Sequence, residues 1–365
     1  EMAKQLEAAG AHIIAIKDMA GVCKPAAAAQ LVTALKQEVG LPIHLHTHDT
    51  SGGAVATVLA AAAAGVDIAD GAMDALSGMT SQPNLGTIIE MLRGLERDPG
   101  IPRATLDEIG RYWESARKHY AAFETELKGG ISSVYDHAMP GGQYTNLRVQ
   151  ARGLGIEHRW PDVVRRYADV NRLFGNIVKV TPSSKVVGDM ALFMVSHGLS
   201  VDDVLDPERE VAFPDSVVRF FRGELGQPVG GFPTALQAKV LRGSTAITVR
   251  PGSQLPPADF NAERVALAKA TRMHVDEITD EDVCASLLYP RVFAAFATHR
   301  SNYGDTSVLP TPTFFYGAQP GEEIVVQIDA GKRLILRYLG QSPSPDSKGR
   351  SSVFFELNGT PRVIV

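Results

Sequence analysis

The chain has 365 residues and a formal net charge of −5, and 44% of its residues are hydrophobic and 21% charged. These totals are typical of a globular protein large enough for two or three cores. No run of lysines and arginines offsets the acidic balance, which argues against nucleic acid as a partner. The longest apolar stretch, 54–66, is shorter than a membrane span, so no membrane partner is expected.

The two cysteines, Cys23 and Cys284, lie far apart in the sequence. This argues against a disulfide framework and suits a reducing compartment. Neither a signal peptide nor a transit peptide is recognisable, and we therefore expect a cytoplasmic protein. The first residue, Glu1, already lies inside an amphipathic helical pattern. We expect the sequence to be a piece of a longer chain that begins partway through a domain.

The first part of the chain alternates between strand and helix patterns. Apolar runs predict strands at 11–16, 42–48 and 66–70, and the helical period predicts helices at 1–9, 26–38, 53–64 and 86–96. Such alternation predicts a parallel α/β sheet with its chemistry at the carboxyl ends of the strands. Three βα units are too few to bury both faces. We interpret them as the last three strands of a (β/α)8 TIM barrel, with a doubly wound sheet as the alternative.

The rest of the chain divides into a helical part and a β-rich part. Helices are predicted at 104–127, 143–153, 161–173, 184–197, 234–241, 262–271, 279–286 and 290–298. Strands are predicted at 323–328, 333–339, 352–357 and 360–365, with an Asn358-Gly359 hairpin turn. We predict three domains, 1–97, 98–300 and 301–365. The last has no cluster of titratable residues, which favours assembly or docking over catalysis.

Three histidines alternate at the end of the second predicted strand: His44, His46 and His48, followed by Asp49. Alternate residues share one face of a strand and imidazole is a common metal ligand, so the pattern predicts a metal site. His46 and His48 lie nearest the carboxyl end and are the better ligands. His44 points deeper, where a hydrogen-bonded structural role is expected. The following turn predicts Asp49 or Ser51 as the N-cap of the next helix.

Lys17 ends the first predicted strand, beside Asp18. One interpretation is a salt bridge between these two side chains at the rim of the sheet. The other is a partly buried lysine with a lowered pKa, which forms a Schiff base or takes up carbon dioxide as a carbamate. A carbamate suits a neighbouring metal because it offers an anionic oxygen, whereas an ammonium group would be repelled by the cation.

A third polar group contains Thr181, Ser183, Ser184 and Lys185. Its spacing fits a simple N-cap of the helix predicted at 184–197, with Ser183 or Ser184 as the cap. The hydroxyls and the lysine become candidates for chemistry if the helical region folds over the strand ends.

Six segments resemble the carboxyltransferase and following β-rich domains of the biotin-dependent pyruvate carboxylase family. They are KDMAG at 17–21, HLHTHDTSG at 44–52, YDHAMPGGQYTNL at 135–147, KVTPSSKVVGD at 179–189, VLPTPTFFYG at 308–317 and FFELNG at 354–359. These segments extend over nearly the whole chain and are long enough to be specific. The resemblance implies a (β/α)8 barrel, an α-helical funnel over its mouth, and a small β domain that contacts the biotin carrier.

The resemblance also implies a set of site residues. The metal, zinc or manganese, would be held by carbamylated Lys17, His46 and His48, with an aspartate upstream of this sequence as the fourth ligand. Thr181 matches the hydroxyl that moves a proton between pyruvate and biotin, and Ser184 and Lys185 match residues near the biotin ring. The implied reaction moves carbon dioxide from carboxybiotin to pyruvate enolate and gives oxaloacetate.

Further partners follow from the same resemblance. Biotin on a carrier domain and ATP with Mg²⁺ are expected outside these 365 residues or on separate subunits, because neither a biotin-attachment motif nor an ATP-binding glycine-rich loop is recognisable. A homotetramer and an acyl-CoA effector are also implied.

Two classes of alternative remain open, a related metal-barrel enzyme and a non-catalytic module. Oxaloacetate decarboxylase and transcarboxylase subunits share the lysine at the Lys17 position, but the C-terminal β unit with LPTP at 309–312 favours pyruvate carboxylase. Acyl-CoA lyases of the superfamily usually lack that lysine. An alternative of another class is a non-catalytic assembly module. The combination of Lys17, His46, His48 and Thr181 argues against such a module.

Overall fold

Three parallel strands form the sheet predicted near the start of the chain. They are β1 (Ile14–Asp18), β2 (Ile43–Thr47) and β3 (Ile68–Ala69), hydrogen-bonded in the order β1-β2-β3. The register places Lys17 opposite His46 and Asp18 opposite Thr47. The two strand ends that carry the candidate ligands are therefore adjacent.

The computed structural model describes residues 1–271 and 273–365. It consists of two compact units, 1–255 and 256–365. The boundary between these units lies inside the second of the three predicted domains, and the three-domain division stays a prediction. Within the described residues, no helix combines the length and apolar character needed to cross a membrane.

The first unit contains the parallel sheet and a set of packed helices. These are α1 (Met2–Ala8), α2 (Pro25–Glu38), α3 (Ala54–Ala63), α4 (Leu85–Leu92), α5 (Arg103–Lys118), α6 (Val134–His137), α7 (Gly141–Gly153), α8 (Trp160–Leu173), α9 (Ser183–His197), α10 (Val201–Leu205), α11 (Asp215–Arg222) and α12 (Thr234–Leu241). Two hydrophobic cores stabilise this unit, one beneath the sheet and one among the later helices.

The two faces of β2 have different surroundings because side chains alternate along a strand. Ile43 and Leu45 are buried in a core shared with Val32 of α2 and Val58 of α3. His44 and His46 lie half-buried on the opposite face. The apolar face fixes the strand against its helices and so aims the alternate histidines away from that core.

The second core holds α8 and α9 together. Tyr167 and Val170 of α8 and Val187 and Met190 of α9 are fully buried in it. α9 ends at Gly198, whose φ of +64° is the left-handed conformation common after a helix. This packing makes α9 a rigid support for the polar residues at its start.

The second unit contains helices followed by an antiparallel sheet in the order β4-β5-β6-β7. Its elements are α13 (Phe260–Thr271), α14 (Asp280–Leu288), α15 (Pro290–Tyr303), α16 (Thr311–Tyr316), β4 (Glu323–Asp329), β5 (Lys332–Gln341), β6 (Val353–Leu357) and β7 (Thr360–Ile364). The predicted hairpin turn is confirmed, since Asn358 and Gly359 both have positive φ, 49° and 78°. Asn358 Oδ1 also accepts the Ile335 N–H at 2.9 Å.

Several helix predictions were wrong in detail. α5 ends at Lys118, short of the predicted residue 127, and Arg117 pairs with Glu124 at 2.6 Å across the turn that follows. α10 and α11 were not predicted. α10 has only five residues, too few for a helical period, although Ser200 begins it with a capping box. α16 interrupts a region where period-two alternation was expected.

Candidate metal centre

His46 and His48 each use Nδ1 for a hydrogen bond within the chain. His46 Nδ1 lies 2.6 Å from Asp70 Oδ2, and His48 Nδ1 lies 2.6 Å from the backbone oxygen of Thr80. A carbonyl or an ionised carboxylate only accepts a hydrogen bond, so each ring donates from Nδ1. In the neutral form, both rings therefore present a free lone pair at Nε2.

The two rings are close enough to act on one ion. Their centroids lie 5.4 Å apart at an interplanar angle of 77°. Among the described residues, no hydrogen bond occupies Nε2 of either ring. Burial lowers the pKa of His48, which favours the neutral form that binds a metal. Metal-binding histidines are commonly held in this manner, with the second ring nitrogen donating to a carboxylate or carbonyl.

Lys17 lies beside His46 through the strand register. In this sheet of three described strands, the Lys17 side chain is exposed. Asp18 does not pair with it, because the Asp18 carboxylate accepts the N–H groups of Val22 and Cys23 at 3.0 and 2.9 Å and the Thr47 hydroxyl at 2.9 Å. The predicted Lys17–Asp18 salt bridge is therefore wrong, and the Lys17 amine is available to a ligand.

The turn after β1 fits tightly against His48. The His48 N–H donates to the Asp18 carbonyl at 3.1 Å. Gly21 has a φ of +68°, and a Cβ there would lie 2.2 Å from the His48 backbone oxygen. Only glycine combines this conformation with this close approach. The turn thus fixes the backbone of one candidate ligand.

Asp70, directly after β3, contacts two histidines. Its Oδ1 lies 2.9 Å from His44 Nε2 and its Oδ2 lies 2.6 Å from His46 Nδ1. Partial burial acts to raise the pKa of Asp70, but the hydrogen bonds from His46 and His44 outweigh burial and the pKa is lowered. His44 is hydrogen-bonded as predicted, and its side chain is 27% exposed in this sheet of three described strands.

The residues after His48 shape the next helix. Asp49 Oδ1 accepts the Ala54 N–H at 2.9 Å, and Ser51 Oγ accepts the Gly53 N–H at 3.3 Å. The N-cap residue of α3 is Gly53, so the prediction of Asp49 or Ser51 at that position was wrong. Both side chains nevertheless satisfy N–H groups at the helix start.

The start of α7 lies against His48. A Cβ on Gly141 would lie 2.7 Å from His48 Nδ1 and 2.5 Å from the Thr80 oxygen. The Gly141 N–H also donates to the Met19 carbonyl at 2.9 Å. A side chain at position 141 would enter the space of the hydrogen bond that orients His48. The helical region therefore contacts the strand ends directly.

Thr181, Ser184 and Lys185 lie together at the start of α9. Thr181 is exposed, Ser184 is buried, and Lys185 forms an ion pair with Asp189 one turn later. The predicted cap is wrong, because Pro182 is the N-cap residue and no side chain caps the helix.

A contact between α9 and α7 links this group to the histidine pair. A Cβ on Gly188 of α9 would lie 2.3 Å from Gln143 Nε2 of α7. Gln143 lies two residues after Gly141, which contacts His48. Ser184 and Lys185 thus lie on a helix, and Thr181 just before it, that packs against the helix in contact with the candidate ligand His48.

Sequence reasoning missed three contributors to the centre: Asp70, Thr80 and Gly141. Thr80 acts through its backbone oxygen, which no residue pattern reveals. Asp70 was recognisable as a polar residue at a strand end, but its partners depend on strand register. No group of three His, Cys, Asp or Glu side chains in the described sequence is placed to hold a metal.

Comparisons with known proteins identify two matching families and several relatives. The family described as "Conserved carboxylase domain" matches residues 134–337, and the family described as "HMGL-like" matches residues 1–112. Pyruvate carboxylase of Bacillus subtilis is 49% identical over 100% of this chain and 31% of that protein. Human mitochondrial pyruvate carboxylase is 43% identical, with the same two coverages. The chain thus spans about a third of the length of these curated relatives.

Solved structures show the same likeness. The carboxyl transferase domain of Rhizobium etli pyruvate carboxylase with pyruvate and biocytin is 57% identical, with a TM-score of 0.94 over 100% of this chain and 60% of that chain. The complete multifunctional enzyme from the same organism gives a TM-score of 0.93 over 100% of this chain and 35% of that chain. These matches confirm the predicted fold class, the last three strands of a (β/α)8 TIM barrel with helices and a small antiparallel domain. This chain belongs to the pyruvate carboxylase family and corresponds to part of its carboxyl transferase region.

Proposed function

We propose that this chain carries the carboxyltransferase site of a biotin-dependent pyruvate carboxylase, a ligase. At this site the carboxyl group of carboxybiotin is transferred to pyruvate to give oxaloacetate. The observation that carries the proposal is the pair of Nε2 atoms that His46 and His48 present beside Lys17. The related Rhizobium etli domain, solved with pyruvate and biocytin, supports this choice of substrates.

The proposed metal is Zn²⁺ or Mn²⁺, held by His46 Nε2, His48 Nε2 and a carbamate on Lys17. Both rings are already oriented by Asp70 and Thr80, so little ordering is needed to bind an ion. The neighbouring Asp18 carboxylate is engaged by Val22, Cys23 and Thr47 and does not neutralise the Lys17 amine. Carbamylation would turn this cation into an anionic oxygen donor. A bound ion would supply Lewis-acid stabilisation of negative charge on the substrate oxygens.

Thr181 is proposed to move a proton between pyruvate and the biotin ureido nitrogen. A threonine hydroxyl is too weak a base to remove a methyl proton alone. It can accept one proton at Oγ1 while passing its own to the nitrogen that has just lost the carboxyl group. The exposed position of Thr181 at the start of α9 leaves its hydroxyl open to both substrates.

Ser184 and Lys185 are proposed to contact the biotin ring. The Lys185 side chain is 58% exposed and pairs with Asp189, which also accepts the Ser216 hydroxyl at 2.6 Å. The Asp189 side chain is only 17% exposed, whereas Lys185 is exposed. Lys185 is therefore the member of this pair that can turn toward a ligand.

Other properties are proposed from the family. They are biotin on a carrier domain, ATP and Mg²⁺ at a further domain, a homotetramer and an acyl-CoA effector. The free cysteines Cys23 and Cys284 support a reducing compartment, and we propose the cytoplasm.

The test uses the complete enzyme, including its biotin carrier and ATP-binding parts. It measures metal content, carboxylation of biotin by ATP and bicarbonate, and formation of oxaloacetate. We expect His46→Asn to lose the metal and to stop oxaloacetate formation from pyruvate, bicarbonate and ATP. Biotin carboxylation by ATP should continue, which shows that the rest of the chain is intact. The exposed His12 provides a matched control, and His12→Asn should retain both activities. Undiminished oxaloacetate formation by metal-free His46→Asn protein would overturn the proposal.

A further inference from the structure

The Asp70 carboxylate contacts both His44 and His46. His44 and His46 lie two residues apart on one face of β2, and Asp70 follows the neighbouring strand β3. Its two oxygens are divided between the rings, with Oδ1 2.9 Å from His44 Nε2 and Oδ2 2.6 Å from His46 Nδ1. Both oxygens are thus engaged, which argues against Asp70 as a metal ligand itself.

The hydrogen bond at His46 decides which ring nitrogen is available to a metal. An ionised carboxylate only accepts, so the proton lies on His46 Nδ1 and the lone pair lies on Nε2. Without this acceptor, the neutral ring would exchange its proton between the two nitrogens and rotate about χ2. The Nε2 lone pair would then point toward the metal position only part of the time.

We propose that Asp70 is a positioning residue that fixes both the tautomer and the orientation of His46, and that His44 holds Asp70 in place. This inference rests on the proposed metal site. His44 donates from Nε2 to the oxygen of Asp70 that His46 does not use. It thereby prevents the carboxylate from turning away from His46. Two hydrogen bonds thus connect His44 to Asp70 and Asp70 to His46, whose Nε2 is the proposed metal ligand.

Three substitutions separate positioning from simple structural support. Asp70→Ala removes the acceptor of His46. Asp70→Asn keeps one oxygen for His46 and turns its NH₂ toward His44 Nε2, which can accept after a change of tautomer. The hydrogen bond from His46 to this amide oxygen is weaker than the one to the carboxylate, because the amide carries no negative charge. His44→Ala leaves the carboxylate in place but free to rotate.

Asp67 supplies a matched control. It precedes the same strand β3, and its carboxylate accepts the Ile43 N–H at 2.7 Å and pairs with Lys36 at 2.9 Å, without contacting a histidine. Asp67→Ala therefore removes a carboxylate that supports the sheet but not the metal ligands. If Asp70→Ala weakened metal binding only by destabilising the fold, Asp67→Ala would weaken metal binding as well.

The experiment measures Zn²⁺ and Mn²⁺ affinity of the full chain by chelator competition. The visible spectrum of bound Co²⁺ and the melting temperature of the metal-free protein are recorded beside it. We expect Asp70→Ala to raise the metal Kd about 10- to 100-fold and to change the Co²⁺ spectrum. Asp70→Asn and His44→Ala should raise the Kd by smaller factors. Asp67→Ala should lower only the melting temperature.

The outcomes are distinguishable. If wild-type protein binds metal and Asp70→Ala binds it equally well, the positioning role is wrong while the proposed metal site stands. If Asp70→Ala does not fold, Asp70→Asn decides, and wild-type metal affinity together with a wild-type Co²⁺ spectrum overturns the inference. If wild-type protein itself binds neither metal, the proposed metal site is wrong and this inference is overturned with it.

Discussion

Gly141 and His48 lie so close that a Cβ on the glycine would be 2.7 Å from the Nδ1 atom of the histidine. The same Cβ would lie 2.5 Å from the Thr80 oxygen to which that nitrogen donates. The first residue of α7 is therefore fitted to the hydrogen bond that orients one candidate metal ligand. Metal binding and the position of the helical region are expected to depend on each other.

Gly141→Ala should weaken metal binding. The added methyl group cannot fit without separating His48 from Thr80, so the His48 ring loses its orientation and the metal Kd rises about 10-fold or more. The neighbouring Gly142 is a matched control, because a Cβ there meets nothing within 4 Å. Gly142→Ala should keep metal affinity and stabilise α7 by up to about 1 kcal/mol. Equal metal affinity in the two variants would show that the contact has no role in the site.

Thr181→Ala should abolish oxaloacetate formation while the metal is retained. The proposed role of the hydroxyl is proton transfer, and Thr181 lies just before α9, not on the strands that carry Lys17 and His46. Thr181→Ser keeps the hydroxyl and should recover most of the activity. The measurement is pyruvate-dependent turnover beside metal content by elemental analysis. Wild-type turnover in Thr181→Ala would rule out the proton-transfer role.

Lys17 should make metal affinity depend on bicarbonate. Removal of carbon dioxide from the buffer reverses the carbamate, so the third donor is lost and the metal dissociates more readily. Native mass spectrometry should show about 44 Da of additional mass on the metal-bound protein. Lys17→Arg cannot form a carbamate and should bind metal weakly with or without bicarbonate. Lys24→Arg, at an exposed lysine in the following turn, should behave as wild type. A bicarbonate-independent metal Kd in wild-type protein would contradict the carbamate.

His137 should make the protein less stable in mild acid. Its side chain is 3% exposed, its Nδ1 accepts the Met139 N–H at 3.0 Å, and burial lowers its pKa to about 4. Between the unfolded pKa of about 6.5 and this native value, the unfolded chain binds more protons than the native protein. The free energy of unfolding therefore falls as pH decreases through this window, by about 3 kcal/mol in total from this group.

The variant His137→Asn tests this origin of the pH dependence. Asparagine can still accept the Met139 N–H, but it does not titrate in this range. Urea unfolding at several pH values should show a smaller loss of stability between pH 6.5 and 4 than in wild type. His158→Asn, at an exposed histidine, should keep the wild-type dependence. The same dependence in His137→Asn and wild type would place its origin in other groups.

Local patterns in the sequence were sufficient to predict the parallel strands and the antiparallel hairpin, and to single out His46 and His48 as a pair. Alternation along one strand depends only on backbone geometry, which is why the histidine pair could be recognised. Asp70 could not be assigned because its two hydrogen bonds depend on the order and register of β2 and β3.

The residues that connect the helical region to the site were also beyond sequence reasoning. Thr80 contributes a backbone oxygen, and Gly141 contributes the absence of a side chain. Neither property follows from residue type, because each depends on segments far apart in sequence that meet only after folding. The family resemblance supplied Thr181, Ser184 and Lys185, whose own spacing is also typical of a helix start.

The most direct test of the metal centre is a crystal structure of the native full chain with anomalous diffraction at the zinc and manganese edges. We predict one ion bound by Nε2 of both His46 and His48, at about 2.0–2.1 Å for zinc. A carbamate oxygen of Lys17 should complete the ligands from this chain. A fully metal-free site in active protein, or an ion bound through Nδ1 of either histidine, would contradict this prediction.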